Sequence, residues 1–256
     1  MYNIVYSIVF HQSIDFTNHF LKNIEKYNLE NKYLVIIHLS DNLYHKKEEI
    51  YKKNVIINPI YYNKKISTHL LLKAFIENFE YLISQKICFN NFMTLTSSNR
   101  LVRQAPKFEL QNIQICEDKT IQNINDLKGW HWPVFLKNKN IVKVFQNNQI
   151  KLISGQVSGR LYPKNVLEKI CEFIRVNKII DLITKEIYFE EIILPSLSNY
   201  YMNTNQQVYC YTFWNKPSSI PTVNDVKQIL IEKPHIFIIK RFPTNLNDIL
   251  FKTEFS

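Results

Sequence analysis

Glycine is almost missing from this chain of 256 residues and occurs only at Gly129, Gly155 and Gly159. Neither common glycine-rich phosphate loop can be assembled from these three, so ligand binding of the P-loop or dinucleotide-fingerprint type is excluded. Cysteine is nearly as scarce. Cys88, Cys116, Cys171 and Cys210 lie far apart without zinc-ligand spacing, and read as reduced, buried thiols of a cytosolic protein. Arginine is confined to Arg100, Arg103, Arg160, Arg175 and Arg241, so the net charge of +10 is carried by scattered lysine. A basic chain favours an anionic partner such as a nucleic acid, a nucleotide or an acidic lipid surface. No element concentrates Lys and Arg as a nucleic-acid reader does, so nucleic acid is not expected. No apolar run reaches the length of a membrane span. The opening Met-Tyr-Asn-Ile, without a basic region or cleavage site, predicts no signal peptide. The expected location is the cytoplasm, with peripheral contact to the inner face of the membrane left open.

Apolar residues, by contrast, are plentiful. A hydrophobic content of 46%, with 14% aromatics, marks a globular chain long enough for a large core. Asn3 to Phe10 is a β-branched and aromatic run that reads as a buried strand. A helix over Ile14 to Tyr27 follows, with Phe16, Phe20 and Ile24 on one face. Lys32 to His38 reads as a second strand, about Tyr44 to Lys53 as a charged helix, and Asn54 to Asn58 as a third strand stopped by Pro59. Ser67 is placed to cap a helix running to Gln85, and Phe89 to Leu95 is a fourth strand. This β-α order predicts a mainly parallel sheet with helices on both faces. Pro106 to Gln149 reads as irregular. Helices are expected over Lys164 to Val176 and Val223 to Ile231, and strands over Gln207 to Trp214 and Ile236 to Phe242.

Polar residues collect just after the strands: His11 and Ser13, His38 and Asp41, then Ser97, Ser98 and Asn99. Ligands of open α/β sheets bind outside the carboxyl ends of the strands, although Ser, Asn and Asp also favour turns for local reasons. Trp130 and Trp132 flank a histidine and suit either a sugar-stacking platform or a loop anchor. Lys240 and Arg241 arrive after four apolar residues. On a strand they would point to opposite faces, directing one of them toward a site. Glu190 and Glu191 interrupt the apolar run of K-E-I-Y-F-E-E-I-I-L-P-S-L, residues 185 to 197. Either they begin a helix, where negative charge complements the dipole, or one points into a cleft, where apolar neighbours raise its proton affinity as a general base requires.

Taken in order, several segments resemble the core-2/I-branching N-acetylglucosaminyltransferase and peptide xylosyltransferase family, glycosyltransferase family 14. They are V-Y-S-I-V-F-H at 5 to 11, I-I-H-L-S at 36 to 40, M-T-L-T-S-S-N at 93 to 99, S-G-Q-V-S-G-R-L-Y at 154 to 162, F-E-E-I-I-L-P-S-L at 189 to 197 and I-F-I-I-K-R-F at 236 to 242. Each motif is degenerate, and their order along most of the chain carries the likeness. The resemblance implies a GT-A-like, Rossmann-type mixed sheet in a single domain. Residues 1–105 would form the nucleotide-sugar-binding half, and 106–256 the acceptor and catalytic half. It implies inverting transfer of a sugar from a nucleotide sugar to a glycan hydroxyl, with Glu191 as the base and Lys240 or Arg241 on the leaving diphosphate. His11, Ser13, His38 and Asp41 would serve the nucleotide, while Ser97, Ser98, Asn99, Trp130, Trp132, Gln156 and Glu190 would serve the donor or acceptor sugar. The family works without a divalent metal, and this sequence contains no D-x-D pair. No cofactor is therefore expected beyond the nucleotide-sugar substrate. Departures from the family pattern are Ser40 and Asn99 at usual Asp positions and Val157 at a Trp position. Those at Ser40 and Asn99 give some weight to the alternative of a non-catalytic carbohydrate-binding or assembly protein on the same fold.

Overall fold

A computed structural model describes residues 1–60, 70–107, 119–120, 132–183, 189–202, 209–213 and 221–243. The first half alternates strand and helix: β1 (Tyr2–Phe10), α1 (Ile14–Lys26), β2 (Tyr33–Leu39), α2 (Asp41–Tyr44), a 3-10 turn (Lys47–Glu49), β3 (Val55–Ile57), α3 (Leu70–Ser84), β4 (Phe89–Thr96) and β5 (Arg100–Leu101). Then come β6 (Lys119–Thr120), α4 (Trp132–Lys137), α5 (Lys139–Asn147), β7 (Ile153–Ser154), β8 (Arg160–Pro163), α6 (Lys164–Val176) and α7 (Ile179–Leu182). The described residues close with α8 (Glu190–Tyr201), β9 (Tyr209–Cys210), β10 (Thr212–Phe213), α9 (Val223–Glu232) and β11 (Ile238–Ile239).

The main sheet has six strands in the order β3-β2-β1-β4-β8-β9. β1, β2, β3 and β4 run parallel, while β8 and then β9 join antiparallel. This is the mixed, mostly parallel α/β architecture that the β-α order predicts, and strands from both halves of the chain share it. Alternation along β1 sorts its side chains between two cores. Val5 and Val9 join α3, α5, α6 and α8 on one face. Ile4, Tyr6, Ile8 and Phe10 meet Phe16, Phe20 and Ile24 of α1 on the other. Each such aromatic or aliphatic side chain contributes about 1.5–3 kcal/mol on burial. Ser13 starts α1 by accepting the Phe16 N–H at 3.2 Å.

Several boundaries differ from the sequence reading. The charged helix over 44 to 53 reduces to α2 and the 3-10 turn, because Ile50 is the one fully apolar side chain it offers for burial. The segment read as irregular contains α4 and α5, and α5 buries Ile141 and Phe145 on one side behind an Asn138 cap. The run over 207 to 214 divides at Tyr211, whose N–H bonds Gly159 and whose carbonyl accepts from Phe237 and Ile238. The chain thereby passes from the main sheet (β9) to a small sheet of order β10-β11-β5. Gly159 makes this crossing possible. It has φ +81, and a Cβ there would lie 1.7 Å from Thr212 Oγ1. Cys171 is buried, but Cys88 is exposed and Cys210 intermediate, which corrects the reading of the cysteines as buried; Cys116 lies outside the described residues, as does Ser67. Among the described residues no helix is long and apolar enough to cross a membrane.

Candidate functional site

Chain order reverses between β1 and β4, so their carboxyl ends flank a topological switch point, the usual crevice for a ligand in an open α/β sheet. The turn leaving β4 is organised by Asn99. Its Oδ1 accepts the Thr96 N–H at 2.7 Å, the Thr96 hydroxyl at 2.9 Å and the Ser158 hydroxyl. Thr96 and Ser98 hydroxyls stand 3.0 Å apart, and Ser97 is buried. Two later segments tie on here. Gly159 N–H donates to Thr94 O at 2.6 Å, and Phe242 N–H donates to Ser98 O at 2.9 Å.

The charged group is carried by the second of these segments and by α8. α8 begins at Glu190, so both acids lie in its first turn, and both are buried, at 3% and 6% exposure. The two readings of this pair therefore hold together: helix start and buried carboxyls. Pro195 lies inside the helix and has no N–H for the carbonyl four residues back. That carbonyl belongs to Glu191, and Gly155 N–H fills the vacancy at 3.0 Å. Ser196 strengthens the junction, accepting the Ile153 N–H at 2.8 Å and donating to Ile153 O at 3.2 Å. The Pro-Ser step thus docks β7 and Gly155 on α8 and brings Gln156 beside the acidic turn.

Opposite stands Lys240, placed where β11 ends after pairing with β10. Its Nζ is 3.9 Å from Glu191 Oε1, with side-chain exposures of 19% and 8%. Burial lowers the proton affinity of Lys240, opposed by the negative charges of Glu191 and Glu190. Burial raises Glu190 well above the ordinary carboxylate range, and the Glu191 charge adds to this. Glu190 therefore holds a proton more firmly than an ordinary carboxyl group. Its Oε2 and the Nε2 of Gln156 are buried without a hydrogen-bond partner, a costly condition for polar atoms unless a ligand or water completes them.

Other predicted residues stand apart from this group. Lys240 and Arg241 lie beyond the strand rather than on it, so strand alternation does not separate them. Arg241 has a left-handed backbone conformation, φ 63, and its charge adds to the lowering of Lys240. His11 is exposed and meets the Gln12 side chain at 3.0 Å. Ser13 serves the α1 cap. His38 is fully buried and faces α3, with Nδ1 3.9 Å from Glu77 Oε2, and burial lowers it to about 4. Asp41 pairs with His45 one helical turn on, at 3.1 Å. Trp132 opens α4, whereas Trp130 lies outside the described residues.

Two contributors escaped the sequence reading. Ser158 holds Asn99. Arg100 is fully buried, its guanidinium 4.4 Å and 4.5 Å from the Phe16 and Phe20 rings and 5.7 Å from Phe242. It donates to Asn99 O at 2.7 Å and to Ser97 O at 3.4 Å, and burial lowers it to about 9. The available signal was an arginine, rare in this chain, directly after a strand-end Ser-Ser-Asn, with Phe16 and Phe20 one helical turn apart.

The chain matches no protein-family model, and no curated protein is significantly similar to it. Among the described residues no cluster of three or more His, Cys, Asp or Glu is placed to hold a metal ion. What the site offers chemically is two buried carboxyl groups, one with its proton affinity raised by burial, one buried cation and unfilled hydrogen-bonding atoms at the carboxyl edge of a parallel sheet. That combination can accept a proton from a neutral group and stabilise developing negative charge.

Proposed function

We propose that the protein is an inverting, metal-independent glycosyltransferase of GT-A type, related to the core-2/I-branching family. It would move a sugar from a nucleotide sugar to a hydroxyl of a glycan acceptor, as in surface polysaccharide or lipooligosaccharide synthesis. The observation that carries this reading is Glu191 within 3.9 Å of Lys240, joined to the end of β4 beside the switch point. Glu191 takes the acceptor proton. Lys240, which contacts Glu191, meets the charge of the leaving diphosphate. Thr96, Ser98 and Gln156 supply polar atoms within the same group. Asn99 acts by shaping the β4 turn, since its Oδ1 already serves three donors.

Thermal denaturation of the protein in the presence of a panel of nucleotide sugars tests this reading. Donor binding stabilises the folded chain by mass action, about 2.7 kcal/mol at a hundredfold excess over Kd. Stabilisation by one nucleotide family is expected, and indifference to every nucleotide sugar contradicts the reading. Stabilisation without turnover across glycan acceptors would favour the non-catalytic carbohydrate-binding alternative.

A further inference from the structure

We propose that Arg100 is a positioning residue of the candidate site: from the aromatic face of α1 its guanidinium holds the β4 turn in the form that receives Phe242, and thereby sets where the Lys240 ammonium stands. The chemical consequence rests on the glycosyltransferase reading of the site; the contacts themselves do not.

α1 supplies a fixed base. Phe16, Phe20 and Asn23 follow one another at helical-turn spacing on its buried side. The guanidinium lies 4.4 Å from the centre of the Phe16 ring and 4.5 Å from that of Phe20. Both are within the reach of about 6 Å at which a ring face attracts a cation. The Asn23 amide then pairs with both backbone groups of the next residue, donating to Leu101 O and accepting the Leu101 N–H, each at 3.0 Å. One helix therefore grips Arg100 by its side chain and Leu101 by its backbone.

The gripped residues join two parts of the site. Arg100 Nη1 donates to Asn99 O at 2.7 Å and to Ser97 O at 3.4 Å. The carbonyl between them, Ser98 O, accepts the Phe242 N–H at 2.9 Å, and the Phe242 ring lies 5.7 Å from the same guanidinium. β5 pairs antiparallel with β11, with Arg100 opposite Ile239. Lys240 follows directly, its N–H bonded to Phe213 O at 3.0 Å. It is thus bracketed by Ile239 and Phe242, both held against Arg100, and from that bracket its Nζ comes within 3.9 Å of Glu191 Oε1. Without the guanidinium, two carbonyls of a largely buried turn lose a donor. Unpaired polar groups are costly enough to make the turn rearrange, and Ser98 O moves with it. Lysine keeps the charge, but it is shorter and has no planar group to lie on the two rings.

Proton titration of Lys240 in the full chain, followed by NMR of carbon-13-labelled lysine side chains, tests the positioning without any ligand. The Lys240 signal is assigned by its absence in Lys240→Met. Burial lowers Lys240 below the ordinary lysine value, so the wild-type signal should titrate apart from those of exposed lysines. Arg100→Lys and Arg100→Met are both expected to move it towards the exposed ones. A residue that merely stabilises the fold leaves the titration of the folded protein unchanged. Wild-type titration retained in Arg100→Lys overturns the positioning, because loss of charge would then account for any effect of Arg100→Met. Where neither variant folds, Phe242→Leu, which keeps Arg100 and removes the ring beside it, decides the matter by the same signal. Titration calorimetry with UDP, GDP, ADP and inorganic pyrophosphate tests the consequence. Arg100→Lys is expected to bind the tightest of these probes roughly threefold or more weakly, as coupled neighbours do. Unchanged affinity overturns the link to the diphosphate. Failure of every probe to bind the wild-type protein overturns the glycosyltransferase reading, and the NMR titration still decides the role of Arg100.

Discussion

Glu190 and His38 are both buried titratable groups, and they set opposite slopes of stability with pH. His38 is held near 4 against an ordinary value of 6.5, so the unfolded chain binds more protons between those values. Its contribution is complete above pH 6.5 and is lost as pH falls toward 4, by on the order of 3 kcal/mol. Glu190 is raised, so its contribution is complete below the ordinary carboxylate value of 4.5 and disappears as pH rises above it. Denaturant unfolding across this range should show His38→Phe flattening the acid slope. Glu190→Gln should raise the wild-type midpoint at neutral pH, because a permanently neutral side chain removes the cost of the buried acid. A lower midpoint for Glu190→Gln would mean that Glu190 is ionised and paired. At the same scale, the sequence made the acidic pair conspicuous by interrupting an apolar run, yet could not reveal that burial raises the proton affinity of Glu190. That property depends on burial against β7, a contact made by residues some forty positions earlier.

At the scale of elements, the Pro195-Ser196 step determines where the site's hydrogen-bonding loop sits. Ser196→Ala removes both bonds to Ile153 and leaves buried backbone groups unpaired, a cost of about 1–3 kcal/mol. Hydrogen exchange should show earlier opening of residues 153–156 than of α6, and equal protection of the two would contradict the docking role. Gly159→Ala is predicted to be more severe. Its φ of +81 and the 1.7 Å approach to Thr212 combine left-handed strain of about 1–2 kcal/mol with overpacking of about 1–3 kcal/mol. Thermal melts should place this variant well below Ser196→Ala. The strands β1 to β4 and the helices α1, α6 and α9 were legible because their apolar periodicity is local. The division of the 207–214 run was not, since the chain changes sheets at Tyr211 through bonds to Gly159 and Phe237. α4 and α5 were hidden in a segment rich in Asn and Lys, where helix formation depends on burying Ile141 and Phe145.

At the scale of the whole molecule, the fold gathers residues from distant parts of the sequence at one end of the sheet. Glu191, Lys240, Gln156 and the β4 turn meet through backbone bonds of the 155–159 and 240–242 segments. Sequence order suggested each as a strand-end or motif residue, and the topology joined them. It did not join His38, which turned to α3, or Asp41, which paired with His45. The positive charge of +10 is widely dispersed, and several lysines sit in exposed pairs such as Lys52 with Glu48. Binding to duplex or single-stranded nucleic acid at physiological salt is therefore not expected, and steeply salt-dependent retention in a mobility-shift assay would contradict this.

The central claim is that Glu191 deprotonates an acceptor while Lys240 meets the leaving diphosphate. Sugar transfer from the stabilising nucleotide sugar, compared among wild type, Glu191→Gln and Lys240→Ala with and without chelator, tests it most directly. The account predicts a loss of roughly 10²–10⁴ in kcat for Glu191→Gln, a loss on the order of 3 kcal/mol of transition-state stabilisation for Lys240→Ala, and no effect of the chelator. Full turnover by Glu191→Gln, or wild-type turnover abolished by the chelator, would contradict it.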